Sequence, residues 1–176
     1  RNVMQYTWEL EIAEDKAFEK KIYESGRVNS DASAQILPEN VELESQKKYF
    51  VRVKATANGE ETEWAETSFV TGILDNREWK AVFVSAEEEA DKDNSKGTYV
   101  RNEFTVEKPV KEAFVSVTAL GLYHFYLNGR KVGKDELTPG WTSYRKHLCF
   151  QTYEVTDYLK EGKNAAGAVL AAGWYK

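Results

Sequence analysis

The chain has 176 residues, 41% of them hydrophobic, which suffices for one or two domains with cores of their own. Its formal net charge is −5 and no segment gathers the Lys and Arg residues that phosphate binding requires, which argues against a nucleic-acid partner. No apolar run approaches the roughly 20 residues of a membrane-spanning helix, so no membrane span is predicted.

The N-terminal part of the chain is predicted to consist of short β-strands. Between Gln5 and Ile12 apolar and polar residues alternate, which predicts a strand with Glu9 and Glu11 on its wet face. Further strands are predicted at 21–23, 34–37, 49–55 and 66–70. Leu43 precedes Tyr49 by six residues at a strand entry, an arrangement that resembles the tyrosine corner of fibronectin-like sandwiches. Helices are expected to be scarce, because no segment keeps a 3.6-residue apolar period.

A short linker at 72–76 predicts two domains, residues 1–72 and 73–176. In the second domain, strands are predicted at 79–84, 99–106, 113–119, 122–127 and 165–172, with an aromatic, β-rich run at 141–153. One helical turn is predicted around 157–161, with Thr156 as its cap and Gly162 as its closing residue. Residues 87–97 are predicted to form a polar loop, and the lone Cys149 is predicted to be a small buried residue.

Two dipeptides predict hairpin turns, Asn58-Gly59 and Asn128-Gly129. A type I′ turn needs positive φ at both of its central residues, and Asn and Gly tolerate that conformation best. Pro139-Gly140 predicts a third turn, directly before Trp141.

No catalytic residue is predicted in this chain. Glycoside hydrolysis needs two carboxyl groups across a sugar, one of them with a raised pKa. Here Glu87-Glu88-Glu89 lies in the polar loop and Asp135-Glu136 follows a hairpin, which are ordinary surface positions. Neither His124 nor His147 has a second ligand or a nucleophile at a useful spacing.

Sugar binding is the local activity that the sequence favours. Flat aromatic rings accept the C–H face of a pyranose, while polar side chains bind its hydroxyl groups. Four residues cluster around the hairpin and the Pro-Gly turn: Trp141, Tyr144, Asn128 and Tyr123. The alternative is that Trp141 packs beneath its turn as part of the core.

A calcium site is the second candidate, in the string Asp91-Lys92-Asp93-Asn94. Its oxygen ligands would be Asp91, Asp93 and Asn94, because Ca²⁺ prefers carboxylate and amide oxygens. The string lacks the central Gly and final Glu of an EF-hand loop, so a solvated loop is the alternative.

Several motifs stand in a fixed order along the second domain. They are Trp79-Lys80-Ala81, Arg101-Asn102-Glu103-Phe104, Tyr126-Leu127-Asn128-Gly129, Val132-Gly133, Pro139-Gly140-Trp141-Thr142, Val155-Thr156 and Gly173-Trp174-Tyr175. This order and spacing resemble the N-terminal accessory domain of bacterial α-L-rhamnosidases, and the first domain is similar to a fibronectin type III module. Two departures are Glu154, where the family usually has Asp, and Phe83, where a second Trp is common.

The resemblance implies an all-β fold of two β-sandwiches, one fibronectin type III or immunoglobulin-like and one a galactose-binding-like jelly roll. In that family an inverting (α/α)₆ barrel downstream releases terminal L-rhamnose, so this chain is expected to be a non-catalytic fragment. Its expected role is to bind a rhamnose-containing carbohydrate or to position the barrel. The alternative functions are a freestanding carbohydrate-binding or adhesion module and a structural spacer. The sequence is compatible with a periplasmic or extracellular location and with a cytoplasmic one.

Both domains are expected to be truncated. A fibronectin-like module has about 100 residues, and the second sandwich ends on the strand 165–172 without a strand to cover it. Unpaired strand edges and an incomplete apolar face promote pairing with another chain. We therefore expect the fragment to self-associate or to be marginally stable.

Overall fold

The computed structural model describes residues 3–85 and 96–175, which divide into two compact units, Arg1–Leu74 and Asp75–Lys176. Within the described residues, the regular structure is β-strand apart from two short 3₁₀ turns, Asn76–Glu78 and Thr156–Tyr158. The all-β prediction is therefore confirmed. None of the helical segments found there has the length and apolar character to cross a membrane.

The first unit is built on two long neighbouring strands. Its strands are β1 (Gln5–Ala13), β2 (Lys21–Glu24), β3 (Val28–Asn29), β4 (Lys48–Ala57), β5 (Glu60–Glu61) and β6 (Ala65–Val70). Strand β1 pairs antiparallel with β4 from Gln5 to Ala13. On the other side of β1 lie β2 and β3, and on the other side of β4 lie β5 and β6. The result is one six-stranded antiparallel sheet.

One face of the β1–β4 pair is apolar. Ile12 lies opposite Val51 and Trp8 opposite Ala55, so the alternation of β1 and that of β4 reinforce each other. Trp8 and Ile12 are buried, and Tyr49 on the same face of β4 is almost fully enclosed. This face forms the core of the first unit.

The other face carries charged side chains in cross-strand pairs, with Glu11 opposite Arg52 and Glu9 opposite Lys54. Glu11 is not the wet residue that the sequence predicted, because it is buried beneath Arg52 and Lys21 and accepts hydrogen bonds from both. Burial raises the pKa of Glu11, but the bonds and charges of those two cations outweigh it and hold the pKa below its usual value.

The tyrosine corner is confirmed. The Tyr49 hydroxyl lies 2.9 Å from the backbone N–H of Glu44 and accepts its hydrogen bond. The Tyr49 ring stacks on Phe69 at a centroid distance of 5.7 Å. Thr71 fastens the same loop, since its hydroxyl donates to the Glu44 carbonyl and accepts from the Lys47 N–H. Side chains at the end of β6 therefore close the loop that leads into β4.

The prediction of a strand at 34–37 is wrong. Those residues form no strand, Gln35 has a φ of +56°, and Leu37 is 85% exposed. A left-handed residue breaks the pleat on which side-chain alternation depends. The short strand in this part of the chain is β3, at Val28–Asn29.

The second unit contains two sheets. Its strands are β7 (Thr98–Val106), β8 (Phe114–Val117), β9 (Leu122–Leu127), β10 (Arg130–Lys131), β11 (Gln151–Glu154) and β12 (Gly162–Ala171). The larger sheet has the order β10-β9-β12-β7, and β8 pairs with β11 in the smaller one. A compact apolar cluster of Leu127, Val132 and Val155 is surrounded by partly buried side chains from both sheets.

A cavity of about 920 Å³ continues from this cluster. Its walls include Val115 and Val117 of β8 on one side and Phe125 and Ala168 of the larger sheet on the other. The facing residues of β12 are mostly small, so their side chains leave this volume unfilled.

Four local predictions for the second unit are wrong. Residues 79–84 form no strand, and of the run 141–153 only the part within β11 is paired. Cys149 is exposed rather than buried. Thr156 does not cap the 3₁₀ turn; its hydroxyl accepts from the Ala113 N–H instead.

We expect Tyr49→Phe to destabilise the first unit by about 1–2 kcal/mol, because the Glu44 N–H then loses its acceptor in a partly buried site. Urea unfolding followed by the resolved amide signals of each unit measures the change. Tyr6→Phe is the matched control, since Tyr6 is exposed and should shift stability by less than about 0.5 kcal/mol. Equal effects of the two substitutions would contradict this role for the Tyr49 hydroxyl.

Candidate functional site

Two aromatic pairs join the loop after Pro139 to the turn after β12, and we call their four residues the aromatic platform: Trp141, Tyr144, Trp174 and Tyr175. The Trp141 and Trp174 rings stack with centroids 6.3 Å apart and planes inclined by 21°. Tyr144 meets Tyr175 edge to face, with centroids 5.5 Å apart. Offset-stacked and perpendicular contacts of this kind are the favoured geometries of aromatic pairs.

The loop after Pro139 holds one half of the platform. Gly140 has a φ of +102°, a conformation that side-chain-bearing residues rarely adopt, and Trp141 follows it directly. The Thr142 hydroxyl donates to the His147 carbonyl, and backbone hydrogen bonds within 142–147 close the loop on itself. The loop is therefore ordered by its own hydrogen bonds.

The turn that follows β12 holds the other half. Gly173 has a φ of +54°, and a Cβ there would lie 2.7 Å from Cγ of Leu122. The Tyr175 N–H donates to the Ala172 carbonyl and closes the turn. Glycine is required at this position on both counts, and it lets Trp174 reach Trp141.

The platform is accessible to solvent. Trp141 is 74% exposed, and Trp174 and Tyr175 are about half exposed. The alternative that Trp141 lies in the core is therefore wrong. The hydroxyl of Tyr144 is enclosed without a hydrogen-bond partner, so Tyr144 contributes its ring rather than its polar group.

Tyr123 offers no exposed ring for a ligand. It is buried, and its hydroxyl lies 2.7 Å from Oε1 of Gln151 and 3.3 Å from the Val117 carbonyl. Burial raises the pKa of its hydroxyl. These contacts join the two sheets, so Tyr123 supports the sandwich from inside.

The polar atoms of Asn128 are also engaged within the fold. Its Nδ2 donates to the Tyr158 carbonyl and to Oδ1 of Asn164, each at 2.8 Å, and its Oδ1 accepts from the Ala165 N–H at 2.9 Å. Its φ of +49° and the +79° of Gly129 confirm the predicted hairpin turn. Of the four sugar-site candidates, Trp141 is exposed and Tyr144 is partly buried in the neighbouring aromatic pair, whereas Tyr123 and Asn128 form hydrogen bonds within the fold.

Trp174 and Tyr175 are the members of the platform that sequence reasoning missed as site residues. Their signal was present in the motif Gly173-Trp174-Tyr175, an aromatic pair behind a glycine at a strand end. Nothing in the linear pattern places it beside Trp141, because 32 residues and two strands intervene.

The predicted calcium ligands Asp91, Asp93 and Asn94 lie outside the described residues. Over 3–85 and 96–175, no group of three or more His, Cys, Asp or Glu side chains is arranged to hold a metal ion. The calcium site stays a prediction.

The surroundings of four carboxyl groups shift their pKa values, all in the same direction. Wherever the described residues show a shifted carboxyl pKa, it is lowered: Glu11, Asp15, Asp75 and Glu136. For Glu136 the cause is the hydrogen bonds of Lys131 and His124. A glycosidase acid needs the opposite shift, so these four groups are unsuited to that task.

Two family models match the chain. Residues 1–75 match the Rha78A-like, N-terminal immunoglobulin domain, and residues 108–176 match the alpha-L-rhamnosidase N-terminal domain. The chain belongs to the N-terminal region of the α-L-rhamnosidase family. The sequence-based resemblance and the β-sandwich fold class are thereby confirmed, while the fibronectin type III and jelly-roll assignments stay predictions.

Individual α-L-rhamnosidases are similar over most or part of this region. An alpha-L-rhamnosidase of Alteromonas sp. (strain LOR) is 35% identical over 162 residues, which cover 87% of this chain and 18% of the relative. One from Streptomyces avermitilis is 50% identical over 82 residues, covering 46% of this chain and 8% of the relative. The crystal structure of an alpha-L-rhamnosidase from Aspergillus terreus aligns with a TM-score of 0.84 and 30% identity, over 99% of this chain and 20% of that one.

Replacing Asn128 tests its assignment as a structural residue. We expect Asn128→Ala to destabilise the second unit by about 3 kcal/mol, because it removes three hydrogen bonds and places Ala at a positive φ. Urea unfolding, followed by the amide signals of that unit, provides the measurement.

Asn58→Ala is the matched control for Asn128→Ala. Asn58 occupies the same kind of turn at a φ of +52°, and its side chain accepts one exposed hydrogen bond, from the Met4 N–H. Its loss should cost the first unit about 1 kcal/mol. If Asn128→Ala were no more damaging to its own unit than Asn58→Ala is to the first, the structural assignment would be wrong.

Proposed function

We propose that this chain is the non-catalytic N-terminal part of an α-L-rhamnosidase and that its aromatic platform binds a rhamnose-containing carbohydrate. The observation that carries the proposal is the exposed, stacked pair Trp141 and Trp174 on a domain of this family. The chain spans only 18% of the length of its Alteromonas relative, so the hydrolytic activity of a whole protein is part of the proposal.

The chemistry of the platform suits a deoxy sugar. Trp141 stacks on Trp174, and because 74% of Trp141 is exposed, the rest of its indole is accessible to a ligand. L-Rhamnose offers the C–H groups of a pyranose and a methyl group in place of the usual hydroxymethyl, so much of its surface is apolar. Apolar C–H groups pack on an electron-rich ring face, and the perpendicular Tyr144–Tyr175 pair supports the platform from the side.

The chain by itself should not hydrolyse glycosides. Its shifted carboxyl groups have lowered pKa values, whereas a general acid must hold its proton near neutral pH. Incubation of the purified chain with p-nitrophenyl α-L-rhamnoside is expected to release no p-nitrophenol above the buffer rate. Turnover that disappears on substitution of a single Asp or Glu would show that this chain carries an active site.

Substituting the platform tests sugar binding. With L-rhamnose and a rhamnosyl oligosaccharide as ligands, titration followed by amide chemical shifts should give saturable binding, weakened at least about tenfold by Trp141→Ala. A tenfold loss corresponds to about 1.4 kcal/mol, within the range of one stacking contact. Tyr6→Ala, which removes an exposed aromatic ring from the first unit, is expected to leave binding unchanged.

Two outcomes would overturn the sugar-binding part of the proposal. One is saturable binding that Trp141→Ala and Trp174→Ala leave intact. The other is no binding by a folded chain, which would favour a role in positioning the catalytic domain. A freestanding carbohydrate-binding module would use the same platform, but the 18% coverage of the Alteromonas relative favours a part of a larger enzyme.

A further inference from the structure

Strand β7 ends the larger sheet of the second unit. The sheet order β10-β9-β12-β7 gives β7 one neighbour among the described residues, β12, with nine residues in register. Among the residues that the structure describes, no strand pairs with the other side of β7 along 98–106. An edge of this length is a template for one more antiparallel strand.

We propose that β7 pairs antiparallel with β7 of a second copy of this chain, in the register that places Asn102 opposite Asn102. Antiparallel pairing about a two-fold axis makes each contact twice, as in the isologous interfaces of dimers. The larger sheets of the two copies then form one continuous eight-stranded sheet. This inference rests on β7 and does not depend on sugar binding by the aromatic platform.

The sequence of β7 is self-complementary in this register. Arg101 of each copy lies opposite Glu103 of the other, so two attractive charge pairs cross the new strand boundary. Both side chains are exposed, and within one copy they already form an ion pair of 2.6 Å, which shows that they share one face. A register shifted by two residues in either direction along the strand would separate these opposite charges.

The other face of β7 matches as well. Val100 lies opposite Phe104 in the proposed register, on the face of β7 opposite to that of Arg101 and Glu103. Val100 lines the cavity and Phe104 is 36% exposed, so the Val100 side chain of each copy packs against the exposed Phe104 of the other. Edges that avoid association usually carry a repelling charge or a proline, whereas Thr98–Val106 contains no proline and its two charges cancel.

The register makes a geometric prediction that disulfide cross-linking can test. Directly opposed residues in an antiparallel pair have Cα atoms about 4.5 or 5.5 Å apart, which is within disulfide reach. In a Cys149→Ser background, Asn102→Cys should form a covalent dimer when oxidised glutathione accepts the two electrons and protons. Thr98→Cys is the matched control on the same strand, because its two copies would stand about 26 Å apart.

Charge reversal tests the same interface without cross-linking. Sedimentation of the intact chain at tens to hundreds of micromolar should show twice the 20.1-kDa mass. Glu103→Arg places Arg opposite Arg at both pairs and should raise the dimer dissociation constant at least about tenfold. Adding Arg101→Glu to Glu103→Arg exchanges the partners and should restore the dissociation constant to within about threefold.

Glu112→Arg controls for the change in net charge, because Glu112 is exposed and lies outside β7. It should alter the dissociation constant by no more than about twofold, and thermal melts of every variant check that the fold is intact. The proposal is overturned by a monomer at several hundred micromolar, by equal cross-linking at residues 98 and 102, or by a Glu103→Arg dimer as tight as that of Glu112→Arg.

Discussion

The second unit depends on two asparagine side chains that bind each other. Asn128 donates to Asn164, and Asn164 in turn donates to the Lys160 and Gly162 carbonyls and accepts from the Lys160 N–H. Asn164 is buried, so the loss of any of these partners leaves a polar group without a hydrogen-bond partner, because water does not reach the site. Together the two amides join the β9–β10 hairpin, the 3₁₀ turn and the first residues of β12, and so fix where β12 begins.

Most other features of the unit follow from the position of β12. Its register with β9 and β7 sets the larger sheet, and β7 is the last strand of that sheet among the residues that the structure describes. At the other end of β12, Gly173 turns the chain so that Trp174 stacks on Trp141. The aromatic platform and the position of β7 therefore both depend on where β12 lies.

Sequence reasoning succeeded where the cause is local. Both Asn-Gly turns, the alternation of β1 and β4, and the tyrosine corner depend on conformational preferences within a few residues. It failed where the cause is a distant partner. Glu11 is buried because Arg52 crosses it from another strand, and the contact of Trp174 with Trp141 arises only after β12 has docked. The alternation of apolar and polar residues predicts on which face of a strand a side chain lies, but it does not predict which residues from other strands cover that face.

At the β7 edge, the net charge of the whole chain and the charges of the strand itself have opposite effects on contact between two copies. The net charge of −5 opposes contact between two copies. At physiological ionic strength, however, exposed charges more than about 8 Å apart are largely screened, so the charges nearest the edge dominate. There Arg101 and Glu103 cancel within one copy and attract across two. Added salt weakens this attraction and the overall repulsion together, so only charge reversal at constant salt separates the local pairing from the net charge.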